Sequence, residues 1–212
     1  MLVTEILARN ARMYGDEVAL VERDPEKGLR SEMTWKEFDE QANKFANALM
    51  EKGIKKGDKV IHLMMNCLEW LPAYFGILRT GAWAVPLNFR FTADDILYCA
   101  RIAEAKAMIY GEQFIDRVDA IRPDLETIEN FFFVGEQAPK GTENFKDVLA
   151  REDATAPKVE LHYEDEAGLY FTSGTTGQPK PILLTHKNLE SACITENRHH
   201  LQTHEDNFLL IP

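Results

Sequence analysis

The sequence predicts an α/β fold built around a largely parallel sheet with flanking helices. Helix start and stop signals recur between Thr34 and Val134, and short apolar runs separate the segments that they delimit. Strands that alternate with helices in this way pair in parallel through right-handed crossovers. An apolar fraction of 45% supplies a hydrophobic core, which excludes a disordered chain.

The first predicted unit is a helix that begins after Thr34. Thr34 and Glu37 have the spacing of a capping box, in which each side chain bonds the backbone amide of the other residue. Gly53 ends the helix, because glycine tolerates the left-handed conformation found there. The apolar residues spaced to form its buried face are Phe38, Ala42, Phe45, Ala46 and Leu49.

The alternation of strands and helices continues to Val134. Gly57 and Asp58 turn the chain into the next strand, and Thr92 and Asp95 form a second capping box. In chain order, the predicted elements are a strand over 59–65, a helix over 69–80, a strand over 82–86, a helix from Thr92 to about 103, a strand over 107–110, a helix over 114–121 and a strand over 131–134.

Residues 136–166 interrupt this alternation. They are rich in charge, and Pro139, Gly141 and Pro157 act as breakers. We predict an irregular, exposed connection with a short helix over 145–150. We also predict that a boundary between two substructures lies within this segment.

The charge of the chain excludes one class of partner. Lys and Arg total 24 and Asp and Glu total 35, so the net charge is −11. An acidic surface of this size repels a phosphate backbone, so nucleic-acid binding is not expected. Any anion site must therefore be built locally, from backbone amides and single cations.

The sequence also predicts a soluble, cytoplasmic protein. Residues 1–15 lack the continuous apolar core of a secretory signal. The most apolar window, 68–87, contains Glu69, Pro72 and Arg79, and a membrane-spanning helix rarely tolerates that combination.

The cysteines are odd in number, widely spaced and without a Cys-x-x-Cys pair. This usage is typical of a reducing compartment, in which thiols serve as small core residues. The residues concerned are Cys67, Cys99 and Cys193.

The chain ends in an apolar run over 208–212 that predicts a strand just begun. Natural termini are usually polar and frayed. We therefore expect residues 1–212 to be the N-terminal part of a longer, truncated domain.

The stretch between Ala167 and His186 carries the chemistry. Glycines let the backbone turn sharply and approach a ligand, hydroxyl side chains add donors, and successive amides form an anion-binding concavity. A lysine at the end of the loop supplies a point charge. The residues with these roles are Gly174 and Gly177, the hydroxyl residues Ser173, Thr175 and Thr176, and Lys180.

A triphosphate suits this combination, although the stretch is not a Walker A loop. Pro179 and Pro181 stand where that motif needs its second Gly and its Ser or Thr. Prolines on both sides of Lys180 also oppose a helix. We predict strands over 168–172 and 182–185 that flank a loop over 173–180, with Lys180 outside any helix. From these residues alone, a hairpin loop without a ligand remains an open alternative.

The sequence YFTSGTTGQPK at 170–180, followed by LTH at 184–186, resembles the signature loop of the acyl-adenylate-forming (AMP-binding) superfamily. That group includes acyl-CoA synthetases, luciferases and the adenylation domains of peptide synthetases. Upstream features occur in the family's order, so the resemblance covers nearly the whole chain. They are Thr34-Trp35 with the helix that follows, Gly57-Asp58-Lys59-Val60, Gly81-Ala82, Val85-Pro86-Leu87-Asn88, and residues 97–109. One departure is Pro181, which stands where the family usually has glycine and removes one backbone amide.

The resemblance implies the N-terminal portion of the acyl-CoA synthetase large domain, and with it a two-step reaction. A carboxylate attacks the α-phosphate of ATP–Mg²⁺ to give acyl-AMP and pyrophosphate, and the thiol of coenzyme A then displaces AMP. The implied partners are therefore ATP, Mg²⁺, coenzyme A and a small carboxylic acid, fatty or aromatic. By position, the implied phosphate-binding residues are Thr172, Ser173, Gly174, Thr175, Thr176, Gly177 and Lys180, with the hydroxyls of Thr175 and Thr176 reaching the metal.

The resemblance also implies that the remaining machinery follows residue 212. No catalytic residue is therefore assigned within the chain, and the fragment alone is expected to be inactive. Two alternatives to a CoA ligase remain open. One is an adenylation enzyme that loads a carrier protein, and the other is a non-catalytic nucleotide-binding module.

Other candidate residues are assigned to packing or to a solvated surface. We expect His186 to pack or cap at a strand–helix junction rather than to act as an acid or base. A solvated helix face, without a third metal ligand nearby, is expected for His199, His200 and His204. The aromatic residues assigned to the core rather than to a ligand box are Trp70, Tyr74, Phe75 and Trp83.

Overall fold

The computed structural model describes residues 1–26, 28–172, 178–203 and 205–209. Within these residues the chain forms a seven-stranded sheet flanked by helices, and a separate two-stranded hairpin. The helices are α1 (Val3–Met13), α2 (Trp35–Glu51), α3 (Trp70–Arg79), α4 (Ala93–Ala103), α5 (Ile115–Ile121), α6 (Phe145–Arg151) and α7 (His186–His200). The strands are β1 (Val18–Asp24), β2 (Leu29–Thr34), β3 (Lys59–Leu63), β4 (Trp83–Pro86), β5 (Ala107–Gly111), β6 (Asn130–Val134), β7 (Glu143–Asn144), β8 (Glu166–Thr172) and β9 (Lys180–Thr185).

The predicted parallel sheet is confirmed. The strand order is β7-β6-β5-β3-β4-β8-β9, and every neighbouring pair is parallel except β8 and β9. β3 lies in the middle, and all of its residues after Lys59 are buried, because helices cover both faces of the sheet.

Both predicted capping boxes start helices. The Glu37 amide donates to Thr34 Oγ1 at 3.2 Å, and the Thr34 amide donates to Glu37 Oε2 at 2.8 Å. Thr92 and Asp95 repeat this arrangement at the start of α4, with distances of 3.2 and 2.9 Å. The predicted buried face of α2 is also confirmed for Phe38, Ala42, Phe45, Ala46 and Leu49.

The core is divided into two layers by the sheet. On one face, Phe45 of α2 meets the rings of Phe132 and Phe145 edge-on, with centroids 5.2 and 5.0 Å apart. On the opposite face, Tyr110 of β5 packs against Phe133 at 5.5 Å, beneath α4 and α5. Adjacent residues of β6 therefore serve different layers, as the alternation of side chains along a strand requires.

The N-terminal helix and the β1–β2 hairpin were not predicted from the sequence. Leu7 of α1 and Met33 of β2 are buried in a third, smaller cluster against Phe38. A buried arginine ties the same region together, because Arg79 of α3 donates to Asp39 Oδ1 of α2 at 2.5 Å and to the Thr4 carbonyl oxygen of α1 at 3.4 Å. This N-terminal layer thus rests on α2 and α3 rather than on the main sheet.

Segment 136–166 is only partly irregular. The helix predicted over 145–150 is confirmed as α6, and β7 adds a short parallel strand beside β6. The later part is tied to α2, since Asn47 Nδ2 donates to the carbonyl oxygens of Asp153 and Thr155 at 2.8 and 3.0 Å. The substructure boundary within the segment stays a prediction.

The cysteines lie in three different environments. Cys99 is buried as expected and Cys67 is half-buried, and burial raises the pKa of each thiol to about 12. The assignment of Cys193 to the core was wrong, because it lies exposed on α7, whose outer faces meet few neighbours in the described chain.

Two further predictions concern the C-terminal residues and membrane-spanning helices. Phe208 and Leu209 are exposed and adopt no regular structure, while the rest of the strand predicted over 208–212 lies outside the described residues. Among the helices of the described chain, none has the length and apolar character needed to cross a membrane.

Candidate phosphate-binding hairpin

The hairpin formed by β8 and β9 carries the candidate site. Aromatic and branched side chains favour both strands, which are in antiparallel register from Glu166↔Thr185 to Thr172↔Lys180. The two predicted strands are thus confirmed. Lys180 begins β9 and lies outside any helix, as predicted, which argues against a Walker-type loop.

Thr172 and Lys180 face each other where the hairpin opens. They are register partners, and both are exposed. Side chains directly opposite each other in an antiparallel pair lie on the same face, so a hydroxyl and an ammonium group share one side of the mouth. No ion-pair partner is found for Lys180 among the residues whose positions are described, so its charge is available to an anion.

The other predicted site residues lie in the loop itself and stay predictions. This applies equally to the two threonines that we assigned to the metal. The residues outside the described chain are Ser173, Gly174, Thr175, Thr176 and Gly177.

A glycine lets β8 approach its neighbouring strand β4 closely. A Cβ atom at Gly168 would lie 3.1 Å from the carbonyl oxygen of Ala84 on β4, and 2.8 Å from the Tyr170 ring. Both distances are shorter than side chains normally tolerate, so any larger residue would push the hairpin away from β4 or displace Tyr170.

Tyr170 connects the hairpin to α3. Its hydroxyl lies 2.5 Å from the hydroxyl of Tyr74, and burial raises the pKa of both groups, so both remain neutral near pH 7. From the sequence we did not assign Tyr170 to the site, and we assigned Tyr74 only to the core. Side chains two residues apart on a strand lie on the same face, so the spacing of Tyr170 and Thr172 was the one signal that could have placed Tyr170 beside the mouth of the loop.

His186 lies at the opposite end of β9 from Lys180. It is buried at the first position of α7, after the N-cap Thr185, which accepts from the amide of Asn188 at 3.3 Å. Burial lowers the pKa of His186, and Asp165 nearby opposes this shift. The predicted packing role at a strand–helix junction is therefore confirmed, because the ring is buried there.

The remaining candidates form no metal or ligand site in the described chain. His199 and His200 are exposed on α7, and His200 lies 3.3 Å from Glu196, while His204 is outside the described residues. No group of three potential metal ligands occurs within the described ranges. Trp70 stacks on Tyr74 at 5.4 Å, and Trp83 lies under the Lys59 ammonium at 5.0 Å, so these rings serve packing as expected.

A concavity of about 230 Å³ lies elsewhere, at the carboxyl ends of β3, β5 and β6. Ligands often bind at this place in open α/β sheets, where successive crossovers leave in opposite directions. Its charged lining residues are Glu22, Glu69, Glu112, Glu136 and Lys146. Four carboxylates against one ammonium disfavour a phosphate, so the hairpin remains the better anion site of the two.

These features first define a class of protein. A largely parallel sheet ends in the antiparallel hairpin of β8 and β9. The sequence that joins these two strands is rich in glycine and hydroxyl residues, and a lysine follows it. The chain belongs to the AMP-binding enzyme family, whose model matches residues 7–212. The fold expected from the signature loop is therefore confirmed.

Known relatives agree with this assignment. Crotonobetaine/carnitine–CoA ligase of Salmonella typhi is 33% identical over 186 residues, which are 86% of this chain and 36% of that enzyme. The anthranilate CoA ligase AuaEII, solved with anthranoyl-AMP, matches with a TM-score of 0.81 at 31% identity, and the match covers 88% of this chain and 35% of that structure. The inhibitor-bound N-terminal domain of FACL13 from Mycobacterium tuberculosis matches with a TM-score of 0.76 at 29% identity, and the match covers 93% of this chain and 47% of that structure. The chain thus spans about a third of the length of the curated relatives that it matches.

Proposed function

We propose that the chain is the N-terminal part of an ATP-dependent acid–CoA ligase acting on a fatty or aromatic carboxylic acid. Family membership supports the reaction class, and the paired Thr172 and Lys180 at the mouth of the hairpin supply a place for the phosphates of ATP. The exposed ammonium of Lys180, set opposite a hydroxyl in a chain of net charge −11, is the single observation that carries the proposal.

In this proposal the hairpin acts on the leaving group. A carboxylate oxygen of the acid attacks the α-phosphorus, the bond to the bridging oxygen breaks, and pyrophosphate leaves with the additional negative charge. Lys180 and the loop donors bind the phosphates of ATP and oppose the charge that develops on pyrophosphate, which lowers the barrier. Bound Mg²⁺ supplies further charge neutralisation, and the loop hydroxyls of Thr175 and Thr176 are its proposed ligands.

The second step transfers the acyl group to sulfur. The thiolate of coenzyme A attacks the acyl carbon, and AMP leaves with the electron pair of the broken carbon–oxygen bond. We further propose a cytoplasmic location, because ATP and coenzyme A are both abundant there. No described residue of the hairpin identifies the acid or the location, so both of these proposals rest on family membership.

The test is acid-dependent exchange of pyrophosphate into ATP by the complete ligase. Lys180→Ala is expected to slow exchange roughly 10- to 100-fold, because a charge-assisted contact is worth about 1.5–3 kcal/mol. Lys187→Ala is the matched control, since Lys187 is also exposed near the hairpin but pairs with Glu164 at 3.0 Å. Unchanged exchange in a folded Lys180→Ala enzyme would remove this lysine from the mechanism.

The same enzyme preparation distinguishes the acceptor. A CoA ligase converts the acyl-adenylate to a thioester when coenzyme A is added, and releases AMP in equal amount. Adenylate formation without turnover on coenzyme A, but with turnover on a carrier protein, would support the carrier-loading alternative instead.

A further inference from the structure

The hairpin is attached to the main sheet over a short distance. In the described chain, β8 and β9 are in register at six positions, whereas β8 and β4 are in register only at Gly168 and Ala84. The part of β8 nearest the loop therefore extends beyond its ladder with β4. Side-chain contacts fix its position instead: Leu169 and Phe171 pack against the core on one face of the sheet, and Tyr170 contacts α3 on the other.

Pro86 explains why the ladder stops. The amides of Trp83 and Leu87 donate toward β3, to the carbonyl oxygens of Asp58 and His62 at 2.7 and 3.0 Å. Because amides alternate in direction along a strand, the nitrogen of the intervening Pro86 faces β8. Proline has no N–H, so no donor is available two residues beyond Ala84, which is the position beside Tyr170.

A side-chain contact takes over at this position. The Tyr170 and Tyr74 hydroxyls are 2.5 Å apart. Among the described residues of β8 and β9 that precede Thr185, this is the one side-chain hydrogen bond to any other strand or helix. Tyr74 is itself held firmly, with its ring stacked on Trp70 at 5.4 Å and edge-on to His62 at 6.3 Å. The tyrosine pair thus joins the hairpin to α3.

The same face of the hairpin carries the phosphate-binding groups. Residues two apart on a strand share a face, so Tyr170 and Thr172 lie on one side of β8. Lys180 shares that side as the register partner of Thr172. A shift of Tyr170 would therefore be transmitted directly to the hydroxyl and the ammonium at the mouth.

We propose that Tyr74 is a positioning residue, which holds Tyr170 and thereby sets Thr172 and Lys180 for the phosphates of ATP. This inference rests on the proposed function. Tyr74 touches no substrate group in this scheme. It acts by removing freedom from a hairpin whose ladder to the sheet ends early, so that binding ATP does not have to order the strand as well.

The test compares tyrosine variants of the complete ligase by steady-state kinetics. Tyr74→Phe and Tyr170→Phe are each expected to raise the KM for ATP roughly 3- to 10-fold, the range set by loss of one hydrogen bond. The KM for the carboxylic acid is expected to change less than twofold, because only the phosphate end of the site is disturbed. The double variant is expected to be no worse than either single one, since both remove the same bond.

Tyr110→Phe is the matched control. Tyr110 is also buried, and its hydroxyl lies 3.3 Å from Thr142 Oγ1 at the other side of the sheet. It is expected to lose a similar amount of thermal stability while leaving the KM for ATP unchanged. Should Tyr74→Phe fail to fold, Tyr170→Phe gives the same comparison, because its hydroxyl is the other half of the bond.

Each outcome decides a different claim. A raised KM for ATP in both single variants, without further loss in the double variant, supports the positioning role. Variants that match Tyr110→Phe in every kinetic constant, or that add in the double variant, overturn it while leaving the ligase assignment intact. A wild-type enzyme without acid-dependent exchange overturns the proposed function, and this inference with it.

Discussion

Arg79 offers the sharpest test of how the N-terminal layer is held. Its side chain is buried, and the guanidinium donates to three groups of α2, which are Asp39 Oδ1 at 2.5 Å, Asn43 Oδ1 at 2.6 Å and the Asp39 carbonyl oxygen at 2.9 Å. It also donates to the Thr4 carbonyl oxygen of α1 at 3.4 Å, which links the N-terminal layer to α2 and α3. Arg79→Met keeps a long side chain in the space but removes every donor. The carboxylate of Asp39 is then left in a largely dry site without its cation.

The expected loss is about 3 kcal/mol of unfolding free energy. Breaking a buried ion pair by removing one partner typically costs about 3–5 kcal/mol. We expect the lower end, because the Asp39 side chain keeps 19% of its exposure and gains water when Arg79 is removed. At about 2–4 °C per kcal/mol for a chain of this size, the melting temperature is expected to fall by roughly 6–12 °C.

Urea unfolding of the 212-residue chain, followed by tryptophan fluorescence and circular dichroism, measures this loss. Arg151→Met is the control, because its pair with Glu143 has the same 2.5 Å separation but the Arg151 side chain is 46% exposed, so we expect under about 1 kcal/mol. Adding Asp39→Leu to Arg79→Met is expected to recover most of the loss, since an apolar pair replaces the stranded charge. Equal losses in the two arginine variants would refute the reasoning.

Two further predictions concern pH and ligand binding. Burial lowers the pKa of His62 to about 4 from 6.5. Between these two pH values the unfolded chain therefore binds a proton that the folded chain does not. The free energy of unfolding contributed by His62 is fully present above pH 6.5 and falls by about 3 kcal/mol as the pH approaches 4. His62→Gln, which keeps a donor for the Trp70 carbonyl, should flatten this slope in urea titrations, and a slope equal to wild type would exclude His62 as its cause. The 212-residue chain should bind ATP–Mg²⁺ with a dissociation constant above about 1 mM. Exposed contacts contribute under about 1 kcal/mol each, whereas the freedom lost on association costs roughly 4 kcal/mol or more. A micromolar dissociation constant by calorimetry would mean that the chain holds a self-sufficient nucleotide site.

The sequence predicted the elements whose signals are local. Thr34 with Glu37, and Thr92 with Asp95, marked two helix starts correctly because a capping box is completed within four residues. The prolines around Lys180 likewise predicted correctly that no helix contains it, since their effect on the backbone needs no distant partner, although β9 begins at Lys180 itself, two residues before the predicted strand.

Features that depend on distant contacts were missed. β2 is mostly exposed, and its one buried residue, Met33, gains its environment from α1 and α2, so the segment shows no clear alternation. The bond between Tyr74 and Tyr170 joins residues 96 positions apart, and no pattern within either segment indicates it. The loop residues of the candidate site stay predictions of the resemblance.

The strand order has a consequence for how the sheet is assembled during synthesis. β3 is made first and takes the central position, and each later strand pairs with one that already exists: β4 and β5 with β3, β6 with β5, β7 with β6, β8 with β4 and β9 with β8. Each new strand therefore finds a partner that has already left the ribosome. The outer edge of β4 nevertheless stays unpaired until β8 is made, and an unpaired strand edge exposes a nascent chain to aggregation. Among the strands of the described chain, β8 and β9 are made last, and they pair with a sheet that the earlier strands have already formed.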